Sequence, residues 1–358
     1  MKMFVILNHV LVQVENTTIL TMLDMIHIII HYLKCQAIGV FDCKTSSQKE
    51  SNIYHAWNLL TRVFTLDPKR IYVTYFGGDT ELNIPEDIET KNIWSKYIDE
   101  THILPFGMKD NFWMMAENGP CGPCTEIHYD LRDDPTFRDK FVNNDDQLVV
   151  EIWNLVFIQY NMKNNKLEKL DKYHVDTGCG FERLVMVLQN KKSSYDTDVF
   201  TPIFSIIESV TKVKYCEQNK IDISYRIIAD HLRTIIFSLN DDIIPDEHGR
   251  GYIITKLIKR SMLYLYLYLN GQRGLFANIG KLMIEYYDVD KKNIMLYVIY
   301  NEENKYGNIM WKSVVEFRKL SNVKNMTKNV YDHLTKTRGI YKDVVDQFII
   351  DNNIKLIE

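Results

Sequence analysis

The chain has 358 residues, with 43 Lys and Arg against 47 Asp and Glu, a formal net charge of −4. Hydrophobic residues make up 46% and charged residues 25%, with 15 Gly and 8 Pro, which excludes collagen-like and disordered chains. The length suits two or three domains with full cores, and the charge balance excludes a histone-like binder while allowing one basic face.

The start, MKMFVILNHVLVQV, carries Lys2 and an apolar stretch. Asn8 and His9 interrupt it and no small-residue cleavage site follows, so it does not read as a signal peptide. The apolar run 22–33 is broken by Asp24, His27 and His31, which favours a buried helix over a membrane span. Residues 1–45 otherwise give no sharp signal. Over 50–65, Ile53, Ala56, Trp57, Leu60 and Val63 share one face and predict a helix. A turn at 67–70 leads into the β-rich run 71–76, which Gly77 and Gly78 end. Residues 84–100 read as helical, and 104–107 as a turn.

The stretch 111–131 is dense in special residues. Cys121-Gly-Pro-Cys124 reads as a tight loop whose Gly and Pro set its turns. Its spacing is also that of half a zinc site or a redox pair, though no second such pair exists. Thr125 to Leu131 alternates as a strand. Residues 132–147 read as an acidic surface insertion and 149–160 as a central strand or a strand–helix core. Residues 161–169 read as a polar, hairpin-like loop. Residues 175–180 read as a glycine-rich turn opening a helix over 181–189, with Leu184, Val187 and Leu188 inward. After Asp198 the texture becomes helical, over 201–212, 224–240, 250–270, 274–287 and from 290 to the end. The 6 cysteines are sparse for this length and fit a reducing compartment.

Several residues carry two readings each. A carboxylate at Asp176, set among apolar neighbours, suits a substrate ammonium, and equally suits a helix cap. Trp113 and Asn154 read as pocket residues or as ordinary core and turn residues. Arg183 reads as a phosphate contact or as half of a surface salt bridge. Arg233, Arg250, Lys256, Lys259 and Arg260 form either an electropositive stripe for a phosphate backbone or solvated charge.

The blocks NFWMMAENGPCGPCTEIHYD (111–130), VEIWNLVFIQYN (150–161), HVDTGCGFERLVMVLQ (174–189), YDTDVF (195–200), YRIIADHLRT (225–234) and GRGYIITKLIKR (249–260) together resemble the alanyl-tRNA synthetase family, in its order and spacing. The resemblance implies an α+β fold of the class II synthetase type. Residues 50–198 would form part of a catalytic domain, an antiparallel sheet with flanking helices. Residues 199–358 would form an all-helical domain that reads a tRNA acceptor stem, and 1–49 a divergent or truncated part. It implies ATP with Mg2+ as the activating pair, alanine as substrate and tRNA(Ala) as partner, with no membrane role. Trp113 and Asn154 would line the alanine pocket and Asp176 would pair with the ammonium. Gly178 and Gly180 would let the backbone approach closely, and Arg183 would meet the ATP γ-phosphate as the catalytic cation. Arg233, Asp241, Arg250, Lys256, Lys259 and Arg260 would face the stem.

The chain also departs from the family pattern. The first class motif and the second, which supplies an Arg for the α-phosphate, are not found in 1–49, so adenylation is expected to be slowed. The family's editing domain, with its zinc site, is not reached, so zinc is not expected. Thr255, Lys256 and Lys259 stand where the family usually has Arg, and Glu247 where it usually has Asn, which alters the RNA contact. The alternative is a catalytically impaired relative that binds RNA or regulates. Family members occur in cytoplasm and mitochondria, and either compartment fits.

Overall fold

The computed structural model describes residues 3–7, 10–14, 36–43, 47–134, 139–144, 146–164, 166–216, 219–320 and 323–357. The helix expected over 22–33 lies outside them. The chain divides into two compact units, Met1–Thr197 and Asp198–Glu358.

Among the described residues the first unit is built on nine strands: β1 (Met3–Leu7), β2 (Val10–Val14), β3 (Gln36–Cys43), β4 (Ile71–Phe76), β5 (Ile103–Phe106), β6 (Phe112–Met114), β7 (Gly119–Asp130), β8 (Val149–Lys163) and β9 (Lys166–Cys179). They join in the order β2-β1-β3-β9-β8-β7-β4-β5, with β6 adding to β7. All pairs are antiparallel except β4 with β5. Among the described residues four α-helices accompany the sheet: α1 (Ser47–Asn58), α2 (Ile88–Trp94), the short α3 (Met108–Asn111) and α4 (Phe181–Leu188).

Alternation along the strands decides which side chains meet the helices. Val73 and Tyr75 of β4, Ile127 and Tyr129 of β7, Leu155 and Phe157 of β8, and Val175 and Cys179 of β9 form one core with Ile53 and Trp57 of α1, Trp94 of α2 and Met186 of α4. The intervening residues therefore face the other side. A buried ion pair fixes α1, where Lys49 Nζ lies 2.7 Å from Asp87. Asp87 also caps α2 by accepting from the Thr90 amide.

Several sequence expectations are corrected. Cys121 and Cys124 lie inside β7, not in a loop, at a register shift against β8. A Cβ on Gly122 would stand 2.0 Å from the Phe157 carbonyl oxygen, so glycine there permits close strand approach rather than a turn. Residues 175–179 complete β9, and only Gly180 acts as the cap of α4. The loop expected at 161–169 is strand on both sides of a turn near Asn164. The 84–100 helix shrinks to α2, and most of the turn expected at 104–107 belongs to the strand Ile103–Phe106. Residues 1–45, which gave no signal, contribute three strands. Val63 is exposed because a π-helical turn at Leu59–Val63 rotates it away from the face that begins at Ile53. In α4 Leu184 and Val187 pack inward as expected, with Met186, while Leu188 is exposed.

The second unit comprises α5 (Thr201–Thr211), α6 (Asn219–Asn240), α7 (Gly249–Tyr268), α8 (Leu275–Tyr287), α9 (Lys292–Leu320), α10 (Lys328–Asp332) and α11 (Lys342–Asp351). A short parallel pair, β10 (Asn325–Thr327) and β11 (Lys355–Ile357), accompanies them, so the helix expected from 290 onward ends at Leu320. Ile228, Leu232, Ile235 and Leu239 of α6, at helical spacing, are buried, as are Ile254, Ile258, Met262 and Leu265 of α7. Glu303 of α9 is buried and accepts from the amides of Gly274, Phe276 and Ala277 and from the Tyr266 hydroxyl, capping the start of α8. Among the described residues, no helix is long and apolar enough to cross a membrane.

Candidate active site

The sheet face opposite α1, α2 and α4 carries the polar residues. Register sets Glu126 of β7 opposite Asn154 of β8, and Asn154 opposite Gly178 of β9, in one row across three strands. Asp176 stands two residues along β9, opposite Val156. The Gly178 amide donates to Asn154 Oδ1 at 3.0 Å, which turns Asn154 Nδ2 outward as a donor. A Cβ on Gly178 would come within 3.0 Å of that same Oδ1, so a larger residue would unseat the amide.

Asp176 is half-buried in β9, which excludes the helix-cap reading because Gly180 caps α4. Burial pushes its carboxyl above the ordinary range, against a smaller opposing effect from the Thr177 amide. A cation placed beside it would relieve that strain.

Glu126 behaves in the opposite way. Its Oε2 accepts from Thr74 Oγ1 at 3.2 Å, Asn143 Nδ2 at 3.0 Å and His128 Nε2 at 3.2 Å. Burial works to raise its pKa, but these donors outweigh it and hold the carboxyl below its ordinary range. The Thr74 hydroxyl is fixed in turn by Asn111 Nδ2 and the Glu126 amide. Asn143 belongs to the 132–147 insertion, whose Val142 packs on Tyr72 and Val149. The insertion therefore covers part of this face and reaches Glu126.

Trp113 is half-exposed on β6, opposite Gly122. Among the described residues, no hydrogen bond or ring contact ties it to Asn154 or Asp176. Arg183 of α4 donates through Nη1 to the Glu151 carbonyl at 3.0 Å and to Glu151 Oε2 at 3.1 Å. A Cβ on Gly180 would meet the Arg183 side chain at 3.3 Å, so the glycine leaves that arginine room. No group of three or more His, Cys, Asp or Glu that could hold a metal forms among the described residues.

In the helical unit the candidate RNA contacts divide. Asp241, Arg250 and Lys256 are exposed, with Lys256 over the Tyr252 ring at 4.8 Å. Lys259 is buried, 3.3 Å from Asp343 and 3.9 Å from the centre of the Tyr341 ring. Arg260 pairs with Asp351 of α11 at 3.0 Å. Arg233 lies over Phe200 and 3.4 Å from Asp230. Lys256, Lys259 and Arg260 thus share a helix but not an environment.

The sequence profile of the family "tRNA synthetases class II (A)" matches residues 46–356. The chain belongs to this family, among the alanine–tRNA ligases. It is 41% identical over 338 residues to the "Alanine--tRNA ligase, cytoplasmic" of Dictyostelium discoideum, covering 90% of this chain and 35% of that one. It is 47% identical over 247 residues to the "Alanine--tRNA ligase" of Candida albicans, covering 66% and 25%. Against the "Alanine--tRNA ligase, mitochondrial" of Saccharomyces cerevisiae it is 46% identical over 237 residues, covering 64% and 24%. The chain therefore spans between about a quarter and a third of these relatives' length, and alanine–tRNA ligases named for both compartments are among them.

Sequence reasoning missed Thr74, Glu126, His128 and Asn143. The signal for two of them was the Thr125 to Leu131 alternation, which sets Glu126 and His128 on the face opposite Ile127 and Tyr129. Nothing local marked Asn143, because its contact depends on how the insertion folds back.

Proposed function

We propose that the chain acts as an alanine–tRNA ligase, activating alanine with ATP and passing it to tRNA(Ala). The observation that carries this reading is the half-buried Asp176 carboxylate, pushed up by burial, beside an Asn154 amide seated on Gly178. Asp176 receives the alanine ammonium, which removes the penalty of an uncompensated anion. Asn154 Nδ2 donates to the substrate's carboxyl end, and Trp113 closes the pocket around the methyl group. The small room left by that wall suits alanine and rejects serine only weakly.

In the reaction an alanine carboxylate oxygen attacks the α-phosphorus of ATP and pyrophosphate leaves. The terminal ribose hydroxyl of tRNA then attacks the acyl carbon and AMP leaves. Arg183 meets the γ-phosphate once it exchanges Glu151 for it. Mg2+ characteristically takes one or two carboxylates plus substrate phosphates rather than an all-protein cage, so it would enter with the nucleotide and neutralise phosphate charge. Exposed Arg250, Lys256 and Asp241 face the acceptor stem, and Arg233, Lys259 and Arg260 hold the helices that present them.

Alanine-dependent exchange of pyrophosphate into ATP tests the reading. Exchange that needs alanine and falls more than about tenfold in Asp176→Asn is expected. A folded chain with neither exchange nor alanine binding would overturn it. A second reading, binding without turnover, is favoured by the engagement of Arg183 with Glu151. It predicts alanine binding with no exchange.

A further inference from the structure

The outer face of α9 is unlike the rest of the helical unit's surface. Its inner face, with Met295, Ile299, Met310, Val314 and Phe317, is buried. On the opposite side Tyr297, Tyr300 and Trp311 are 68%, 57% and 47% exposed. Helical spacing puts Asn304, Asn308 and Lys312 in the same stripe, which runs about 27 Å from Tyr297 to Val315. Arg273, from the loop before α8, donates to Asn304 Oδ1 at 3.1 Å and adds a cation at mid-stripe. Lys305 borders it, exposed.

Three features decide what this face suits. Large aromatic rings on the surface of a monomer mark a contact when they line up. The residues of the stripe include no carboxylate, while Arg273 and Lys312 are cations, so the complementary partner is anionic. Asn304 and Asn308 stand between the rings, and an apolar helix or a lipid surface laid over them would strand the Asn308 amide and the Asn304 Nδ2. Rings for stacking, amides for base edges and cations for phosphates together match an unpaired nucleic-acid strand.

We propose that the outer face of α9 binds single-stranded RNA, with Tyr297, Tyr300 and Trp311 stacking on bases and Arg273 and Lys312 meeting phosphates. This surface is separate from the exposed pair Arg250 and Lys256, whose proposed partner is a duplex stem.

The test is fluorescence anisotropy of the full chain with a labelled oligouridine of about twelve nucleotides, beside an RNA duplex of equal length at the same salt concentration. The double variant Tyr297→Ala/Tyr300→Ala is expected to weaken oligouridine binding at least about tenfold and leave duplex binding unchanged. Trp311 fluorescence should quench on binding, and the quench should disappear in Trp311→Phe. Arg250→Ala/Lys256→Ala should do the reverse, weakening the duplex alone, so that failure of the stem reading is seen separately. Both pairs are exposed, and circular dichroism confirms the fold of each variant. An oligouridine that does not bind, or binds the double variant as tightly as the parent, overturns the proposal. So does self-association of the parent chain that the double variant abolishes, which would make a second copy the occupant.

Discussion

On the sheet, Glu126 gathers Thr74, His128 and Asn143 on one carboxylate oxygen, and Asp176 stands half-buried with no cation beside it among the described residues. In the helical unit, Lys259 and Arg260 are already matched by Asp343 and Asp351. The first region keeps charge short of full compensation, where a ligand can complete it. The second neutralises Lys259 and Arg260 internally and leaves the exposed Arg250 and Lys256, at the start of α7, for a partner. A charged residue in a promising pattern is therefore a contact candidate only when the fold has not already paired it.

The comparison can be broken first on the sheet side. The row of polar residues depends on β7 and β8 lying close at Gly122. Gly122→Ala should destabilise the sheet unit by about 3 kcal/mol or more, because the new methyl would meet the Phe157 carbonyl at 2.0 Å. A urea titration followed by circular dichroism measures it. A change within about 0.5 kcal/mol would show that the strands are free to separate.

The helical unit has its own buried titratable group. His231 is pushed down to about 4, by burial first and then by the Arg260 charge. An imidazole depressed in the folded state leaves the unfolded chain to take up the proton first. Stability is therefore full above pH 6.5 and lost as the pH falls toward 4, by about 3 kcal/mol over that window. Hydrogen exchange of the α6 amides against pH reads this decline, and His231→Gln should flatten it.

Lys259→Ala should destabilise by about 2 kcal/mol, since it leaves Asp343 without its partner at a mostly buried contact. Arg250→Ala should stay within about 0.5 kcal/mol and act on RNA affinity instead. Equal effects of the two variants on thermal stability would erase the division between paired and available cations.

The smallest stability change is expected at Asp176, and its sign is informative. A carboxyl raised in the folded state contributes fully below its ordinary pKa and loses that contribution as pH rises through the folded value. Asp176→Asn should therefore be slightly more stable than the parent at neutral pH and show no advantage in acid. Stability gained on removing a charged group is the mark of a residue kept for binding.

Much of this was legible before the structure. The unbroken apolar run that became β8 and the β-rich run that became β4 declare themselves through residue type. The long helices of the second unit follow from their period. The Cys121 to Cys124 segment misled because Gly and Pro usually mark turns, whereas here Gly122 answers to a neighbouring carbonyl that local pattern does not reveal. Lys259 misled for a related reason. Period shows that it shares a face with Lys256, but not that α11 covers that part of the face. Asn143 was invisible because its partner lies across an insertion whose path no residue pattern encodes.

The central claim is that the polar sheet face takes the positive end of alanine at Asp176. Calorimetric titration of the full chain with alanine, beside Asp176→Asn at neutral pH, tests it most directly. The account predicts saturable binding to the parent and a loss of at least about tenfold in the folded variant. Equal affinity of the two proteins for alanine would contradict it.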